Sequence, residues 1–186
     1  MKLPVDFEMD MYGLHLRLIN EDDAAFILKL RTNEKLSRFI HSTDSDLDAQ
    51  KEWIRNYKCR EAEGTEYYFI FLKNGIPVGL NRLYAIKEDS YTSGSWIFDP
   101  AAPLECSIAS ALIVRIIAFE MLGMKEENAF DGCHEENKKV LKFNKMLGLE
   151  ITGKINDVKG VYYTQRLTKE NFKKNRSKIE RLLDLK

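Results

Sequence analysis

Short apolar stretches bounded by turn residues predict seven β-strands in this chain. They lie at residues 14–19, 66–73, 76–86, 91–98, 129–131, 150–156 and 161–167. Asn74-Gly75 and Glu88-Asp89 are typical turn pairs between the second, third and fourth of these strands. We therefore expect those three strands to form an antiparallel meander.

Apolar residues at helical spacing predict helices in the segments between the strands. Asn20 is a suitable N-cap for a first helix that bends at Thr32-Asn33, and Gly64 and Gly148 are suitable C-caps. The helices are expected from Glu21, over Leu47–Glu63 and Ile108–Met121, from Asn137 to Gly148, and in a basic tail at about 168–185. Strands and helices in this order predict an α+β fold.

Composition limits the number of domains and the kinds of partner. With 186 residues, 44% of them hydrophobic, the chain can bury one core, so we expect a single domain over 1–186. The 29 basic and 29 acidic residues cancel, which argues against binding nucleic acid or an anionic membrane through overall charge. The three cysteines, Cys59, Cys106 and Cys133, suggest neither disulfides nor a metal site. Without a signal peptide or membrane span, a cytoplasmic location is expected.

The segment from Asn137 to Leu149 has a distinctive order of residues. Asn137 opens the helix, Val140 follows three residues later, Phe143-Asn144 come next, and Leu147-Gly148-Leu149 close it. This order resembles the final motif of the GNAT superfamily, which are acyl-CoA-dependent N-acyltransferases. The resemblance covers about residues 14–167 and implies a mixed, mostly antiparallel central sheet in a three-layer arrangement with helices, here followed by an extra C-terminal helix.

The resemblance implies that acetyl-CoA, the acyl donor, binds where two strands separate. In the family, the pantetheine arm lies between the strands that correspond to 93–98 and 129–131, and a backbone N–H near Phe98 stabilises the oxyanion. The loop Ala102–Ser107 would hold the diphosphate through helix N–H groups, although it lacks the family's glycines and basic residue. The expected cofactor-binding residues are Trp96, Ile97, Phe98, Leu104, Glu105, Cys106, Ser107, Ile108, Ala109, Asn137 and Asn144.

Simpler interpretations stand beside these assignments. Trp96 and Phe98 could be core residues, and Asn137 could act only as an N-cap. Cys106, at a helix start, could have a lowered thiol pKa, but with no histidine near it in sequence a structural role is favoured.

The catalytic candidates are Asn144, His134 and Ser95. Asn144 stands where many family members have a tyrosine that protonates the leaving thiolate, and an amide can only donate a hydrogen bond there. The candidate general bases are His134, Asp131, Glu66, and Ser95 acting through water, whereas His15 and His41 are weaker candidates.

The acceptor is expected to be a primary amine that attacks directly in a ternary complex. Its expected contacts are Arg31, Asn33, Asn81 and Arg82, although Arg82, in an alternating strand, could equally pair with an acidic neighbour. Within the superfamily, Leu30–Asn33 and Lys35–Phe39 resemble enzymes that acetylate amino-sugars on nucleotide carriers in bacterial surface-glycan pathways. The alternatives are a ribosomal-protein N-terminal acetyltransferase, a non-catalytic CoA-binding module and a protein for another acyl-CoA. Either a monomer or a homodimer is compatible with the sequence.

Overall fold

The computed structural model describes residues 1–40 and 43–184, so His41 and the last residue of the predicted tail helix lie outside the described residues. An eight-stranded sheet has the order β1-β2-β3-β4-β5-β6-β8-β7. The strands are β1 Glu8–Met11, β2 Leu14–Leu18, β3 Tyr67–Lys73, β4 Ile76–Lys87, β5 Ser90–Phe98, β6 Glu126–His134, β7 Glu150–Asp157 and β8 Gly160–Thr168. Neighbouring strands are antiparallel except β5 and β6, which are parallel.

Helices cover the two faces of this sheet. They are α1 Ala24–Arg31, α2 Glu34–Ser37, α3 Leu47–Glu63, α4 Leu104–Ile116, α5 Lys138–Leu147 and α6 Lys169–Leu182. A core that includes Ile27, Ile54 and Tyr68 lies between the sheet and α1 and α3. A larger core that includes Leu112, Phe119 and Phe172 lies under α4 and α6. The three-layer α+β arrangement and the extra C-terminal helix are confirmed.

Three local expectations differ from the structure. β1 is absent from the predicted strands, because its four residues Glu-Met-Asp-Met are only partly apolar and form a strand by pairing with β2. The helix expected from Ile108 begins at Leu104, after Pro103, whose φ of −54° suits a helix entry. β6 is longer than the predicted 129–131, because Glu126 and Glu127 also pair with the neighbouring strands. These polar residues do not give the apolar pattern from which a strand is predicted.

The parallel pair β5–β6 separates soon after it begins. Ser90 is opposite Glu126 and Tyr91 is opposite Glu127, and the Thr92 hydroxyl still donates to Asn128 O at 2.7 Å. Beyond this point no further β5–β6 pair is recorded within the described residues. A gap therefore opens in the middle of the sheet.

A buried ion pair lies at the closed end of this gap. Arg115 of α4 donates to Glu127 of β6 through Nε at 2.8 Å and Nη2 at 2.9 Å, and both side chains are almost inaccessible to solvent. The Ser93 hydroxyl and, at 3.3 Å, the Tyr91 hydroxyl also donate to Glu127. The carboxylate thereby connects α4, β5 and β6.

We expect Glu127→Gln to lower the free energy of unfolding by about 3–5 kcal/mol, because it leaves the buried Arg115 charge uncompensated. The matched control is Glu126→Gln on the same strand, which loses a partly exposed pair with Arg166 and should cost about 1 kcal/mol or less. Urea denaturation measures both variants. Equal losses in the two would contradict the importance assigned to the buried pair.

Candidate active site

A cavity of about 180 Å³ occupies the gap between β5 and β6. We call it the gap cavity. Its walls come mainly from β4, β5, β6, α5 and β8, and include Asn81, Trp96, Glu127, Asn137, Asn144 and Gln165. The sheet and α5 thus leave an opening at the place where the sequence predicts the donor to bind.

The edge of β5 along this cavity is distorted by a β-bulge. Leu80 is opposite Ile97 and Arg82 is opposite Gly94, so Ser95 and Trp96 together face Asn81. Ser95 has a φ of 50°, an uncommon conformation for a residue with a side chain. The bulge takes the backbone of Ser95 and Trp96 out of the regular ladder beside the cavity.

Beyond the bulge, β5 directs a backbone donor into the gap. The Asp99 N–H bonds to Val78 O at 2.9 Å, and Phe98 is opposite Gly79. Since hydrogen-bonded and non-bonded pairs alternate in an antiparallel ladder, the Phe98 N–H points away from β4 and toward the gap. This geometry suits the oxyanion role predicted for the backbone near Phe98.

The amino end of α4 offers a second set of backbone donors. The Cys106 N–H bonds to Pro103 O at 3.0 Å, whereas the Leu104 and Glu105 N–H groups have no acceptor in the described part of the chain. Such free N–H groups, at the positive end of the helix dipole, favour an anion. The Glu105 side chain is exposed in the first turn of the helix.

Two amides on α5 point into the gap cavity. Asn137 occupies the N-cap position of α5, but its side chain makes no capping hydrogen bond, so a capping role does not explain its orientation. Asn144 donates to Gln165 Oε1 at 2.8 Å. The interpretation of Asn144 as a hydrogen-bond donor is compatible with this geometry.

The candidate bases are mostly engaged in other contacts. Nδ1 of His134 accepts from the Glu136 N–H at 3.1 Å, so Nε2 carries the proton and donates to Lys159 O at 2.9 Å. Glu66 is buried against Arg60 and Arg82, each with its Nε at 2.7 Å. Asp131 accepts from the Tyr84 hydroxyl at 2.6 Å. All three groups are engaged in hydrogen bonds or ion pairs within the fold. Ser95 lies at the bulge itself, so Ser95 with water is the candidate that this geometry favours.

A second cavity, of about 410 Å³, lies on the opposite face of the sheet under α1 and α3. We call it the Arg31 cavity. Arg31, Gln50, Trp53, Tyr68 and Arg82 contribute to its wall. Arg31 Nη1 donates to the Ser95 hydroxyl at 3.2 Å, and the neighbours Gly94 and Trp96 line the gap cavity. The two cavities therefore approach each other from opposite faces at the bulge.

The four predicted substrate contacts do not lie in a single cavity. Arg31 and Arg82 line the Arg31 cavity, while Asn81 lines the gap cavity. Asn33 lines neither cavity, and its side-chain oxygen caps α2 by accepting from the Lys35 and Leu36 N–H groups. Sequence reasoning missed Trp53, Tyr68 and Gln50, which belong to segments whose apolar pattern indicates only a core helix and strand.

Several predicted cofactor residues have mainly structural side chains. Trp96 donates to Ser107 O at 3.0 Å and packs on Phe143, while Phe98 packs on Phe71. Ile97, Cys106 and Ala109 are buried, and Ile108 packs against the main core. Burial raises the pKa of the Cys106 thiol, so the idea of a lowered pKa is wrong and the structural interpretation is favoured.

Comparison with known proteins identifies the family. The family model for the acetyltransferase (GNAT) domain matches residues 13–150. The chain belongs to the GNAT acetyltransferases. It is an N-acetyltransferase, and no curated protein sequence matches it significantly. No helix among the described residues is long and apolar enough to cross a membrane.

Solved structures of GNAT proteins share the fold of this chain and differ in their sequence identity to it. Apo FdhC, a nucleotide-linked sugar GNAT, has a TM-score of 0.80 and 34% identity over 96% of this chain and 99% of that chain. The ribosomal-protein-S5-alanine acetyltransferase from Vibrio fischeri has a TM-score of 0.75 and 12% identity over 90% and 99%. RimJ from Mycobacterium smegmatis, in complex with CoA-disulfide, has a TM-score of 0.73 and 14% identity over 89% and 87%. The latter two, at low identity, show the fold alone.

We expect Asn144→Ala to slow single-turnover acetyl transfer by less than about 100-fold, because an amide does not act as a general acid. Loss of a true general acid or base typically costs roughly 10²–10⁴-fold. Rapid-quench measurement at saturating acetyl-CoA tests this, with the exposed neighbour Lys145→Ala as control. A loss in the upper part of that range would show that Asn144 takes part in proton transfer.

We expect Glu105→Gln to change the dissociation constant of acetyl-CoA by less than about threefold at moderate salt, since an exposed charge is screened over roughly 10 Å. Asn137→Ala should weaken binding by about fivefold, the size of one lost neutral hydrogen bond. Calorimetry measures the acetyl-CoA dissociation constants of both variants. For Glu105→Gln, tightening of tenfold or more would show that this carboxylate faces the diphosphate.

Proposed function

We propose that this enzyme transfers the acetyl group of acetyl-CoA to the primary amine of a nucleotide-linked amino-sugar, by direct attack in a ternary complex. The observation that carries the proposal is the 34% identity to a nucleotide-linked sugar GNAT over 96% of this chain and 99% of that one. Similarity at this level along the whole length includes α1, α3, β3 and β4, which contribute to the wall of the Arg31 cavity. A cytoplasmic role in bacterial surface-glycan synthesis would follow from this acceptor.

The residues of the gap cavity fit acetyl-CoA, which supplies an acetyl group activated as a thioester. The Leu104 and Glu105 N–H groups would hold its diphosphate without a basic side chain. Asn137 and the open backbone of β5 and β6 would hold the pantetheine arm. The absence of the family's loop glycines is compatible with binding because the free donors are backbone groups of the first helical turn.

The two-sided arrangement supports direct attack. Arg31 of the Arg31 cavity bonds to Ser95, whose neighbours Gly94 and Trp96 line the gap cavity, so an amine in the Arg31 cavity would lie close to a group held in the gap cavity. The Phe98 N–H is positioned to stabilise negative charge on an oxygen in the gap. The Ser95 hydroxyl accepts from Arg31 and could position a water that removes the proton of the amine.

An amine panel tests the proposal. We expect thiol release from acetyl-CoA with nucleoside-diphosphate amino-sugars, at a kcat/KM about a hundredfold or more above that with spermidine or with peptides that begin with alanine or serine. Acetyl-CoA at a hundred times its dissociation constant should also stabilise the fold by about 2.7 kcal/mol. A peptide preference would indicate a protein N-terminal acetyltransferase. Stabilisation by acetyl-CoA without turnover of any amine would indicate a CoA-binding module.

A further inference from the structure

The guanidinium of Arg82 is held in one orientation in the wall of the Arg31 cavity. Its Nε lies 2.7 Å from Oε1 of Glu66, which is buried. The group also lies over the ring of Trp53 at 5.5 Å and over the ring of Tyr84 at 4.9 Å. Aromatic contacts and an ion pair together fix the plane of this cation.

The two terminal nitrogens of Arg82 are not used by these contacts. Across residues 1–40 and 43–184, no side chain or carbonyl accepts a hydrogen bond from Nη1 or Nη2. Arg82 lines the cavity, so these donors are available to a ligand there. A guanidinium with a fixed plane and two free Nη groups matches a planar or tetrahedral oxyanion.

Tyr68 supplies a further donor beside Arg82. Its side chain is 1% exposed and lines the same cavity, and its hydroxyl has no partner in good hydrogen-bond geometry among the described residues. The neighbouring Tyr57, in contrast, donates to Glu61 at 2.5 Å and accepts from the Tyr68 N–H at 2.8 Å. The Arg31 guanidinium and the Ser95 hydroxyl lie near this oxygen without forming a well-aligned hydrogen bond to it. A ligand oxygen in the cavity would give the buried hydroxyl an acceptor.

The raised pKa of Tyr68 favours a hydroxyl that donates a hydrogen bond. Burial raises the pKa of Tyr68, and the nearby positive charges of Arg31 and Arg82 offset this rise only in part. The hydroxyl therefore keeps its proton at neutral pH and can donate it to an oxygen atom.

We propose that Arg82 and Tyr68, with Arg31 beside them, form a binding site for an oxyanion of the acceptor. Its identification as a phosphate of the nucleotide carrier rests on the proposed function. A carboxylate has the same recognition chemistry, and it would instead identify an acceptor of the amino-acid type. The site would select acceptors by their anionic group and hold the amine close to the bulge.

The charges of the cavity support this assignment. Glu66 is shared by Arg60 and Arg82, so this group of three carries one net positive charge, and Arg31 adds another at the inner wall. Asp44 and Asp46 also line the cavity, but both are exposed, and Asp46 caps α3. Exposed carboxylates are screened by water and salt, so the inner wall remains favourable for an anion.

The test is calorimetric titration with UDP in the presence of saturating CoA, so that the donor's own diphosphate site is occupied. We expect Arg82→Gln to weaken UDP binding by at least about tenfold, as expected for loss of a charge-assisted bidentate contact. Arg60→Gln is the matched control, because Arg60 also pairs with Glu66 through Nε at 2.7 Å and lies over Trp53 at 5.5 Å, yet does not line the cavity. Because Arg60 contributes only a more distant positive charge and no contact in the cavity wall, this variant should weaken UDP binding by less than about threefold.

A second variant, Tyr68→Phe, tests whether a loss of UDP binding in Arg82→Gln comes from the missing contact or from poor folding. We expect it to weaken UDP binding by about threefold to tenfold with little change in the melting temperature, because the hydroxyl it removes makes no well-aligned hydrogen bond within residues 1–40 and 43–184. Tyr57→Phe should show the opposite pattern, with a lower melting temperature and unchanged UDP binding. UDP affinity that is equal in the Arg82→Gln, Tyr68→Phe and unmodified proteins would overturn the proposal.

Acetate and inorganic phosphate distinguish the source of the oxyanion. Binding of UDP and phosphate that depends on Arg82 supports both the site and a nucleotide-linked acceptor. Binding of acetate alone that depends on Arg82 supports the site but contradicts the nucleotide-linked acceptor. If neither UDP, phosphate nor acetate binds the unmodified protein, the site is refuted, whereas thiol release with amino-sugars would still decide the proposed function.

Discussion

The buried pair of Arg115 and Glu127 is the interaction on which the active site depends. Two charges are stable inside a protein only when geometry and further hydrogen bonds compensate for lost hydration, and Glu127 receives donors from α4 and from β5. The pair lies where β5 and β6 are still joined, and the strands separate immediately beyond it. It therefore fixes the closed end of the gap that the donor would enter.

The β-bulge at Ser95 lies between the gap cavity and the Arg31 cavity. A regular strand would place alternate residues on the two faces and keep its backbone in the ladder. The extra residue lets the Ser95 hydroxyl meet Arg31 on one face, while Trp96 packs toward α4 and α5 on the other. One distortion of the backbone thus brings together the cavities on both sides of the sheet.

The polar groups in and around the Arg31 cavity differ in whether they have hydrogen-bond partners within the described residues. The Tyr57 hydroxyl and Oε2 of Glu66 make hydrogen bonds within the chain, and Oε1 of Glu66 forms an ion pair with Arg82. In the part of the chain that the structure describes, the Tyr68 hydroxyl and the terminal nitrogens of Arg82, in the same wall, make no hydrogen bond of good geometry. A buried donor without a partner costs stability, so its persistence favours a role in binding.

Local sequence determined the order of the elements, because caps such as Asn20 and Gly64, turns such as Asn74-Gly75 and hydrophobic spacing act over a few residues. The segment from Asn137 to Leu149 was also sufficient to predict the GNAT family, which the family model confirms. The strand β1, the start of α4 at Leu104 and the full length of β6 were missed, because they depend on pairing or on entry geometry. The Arg31 cavity was only half predictable: Arg31 and Arg82 were expected to contact the acceptor, but Tyr68 lies in an apolar strand and looks like core. Only the tertiary structure brings these three side chains together, since their proximity comes from the packing of α1 on the sheet and from the register of β3 and β4.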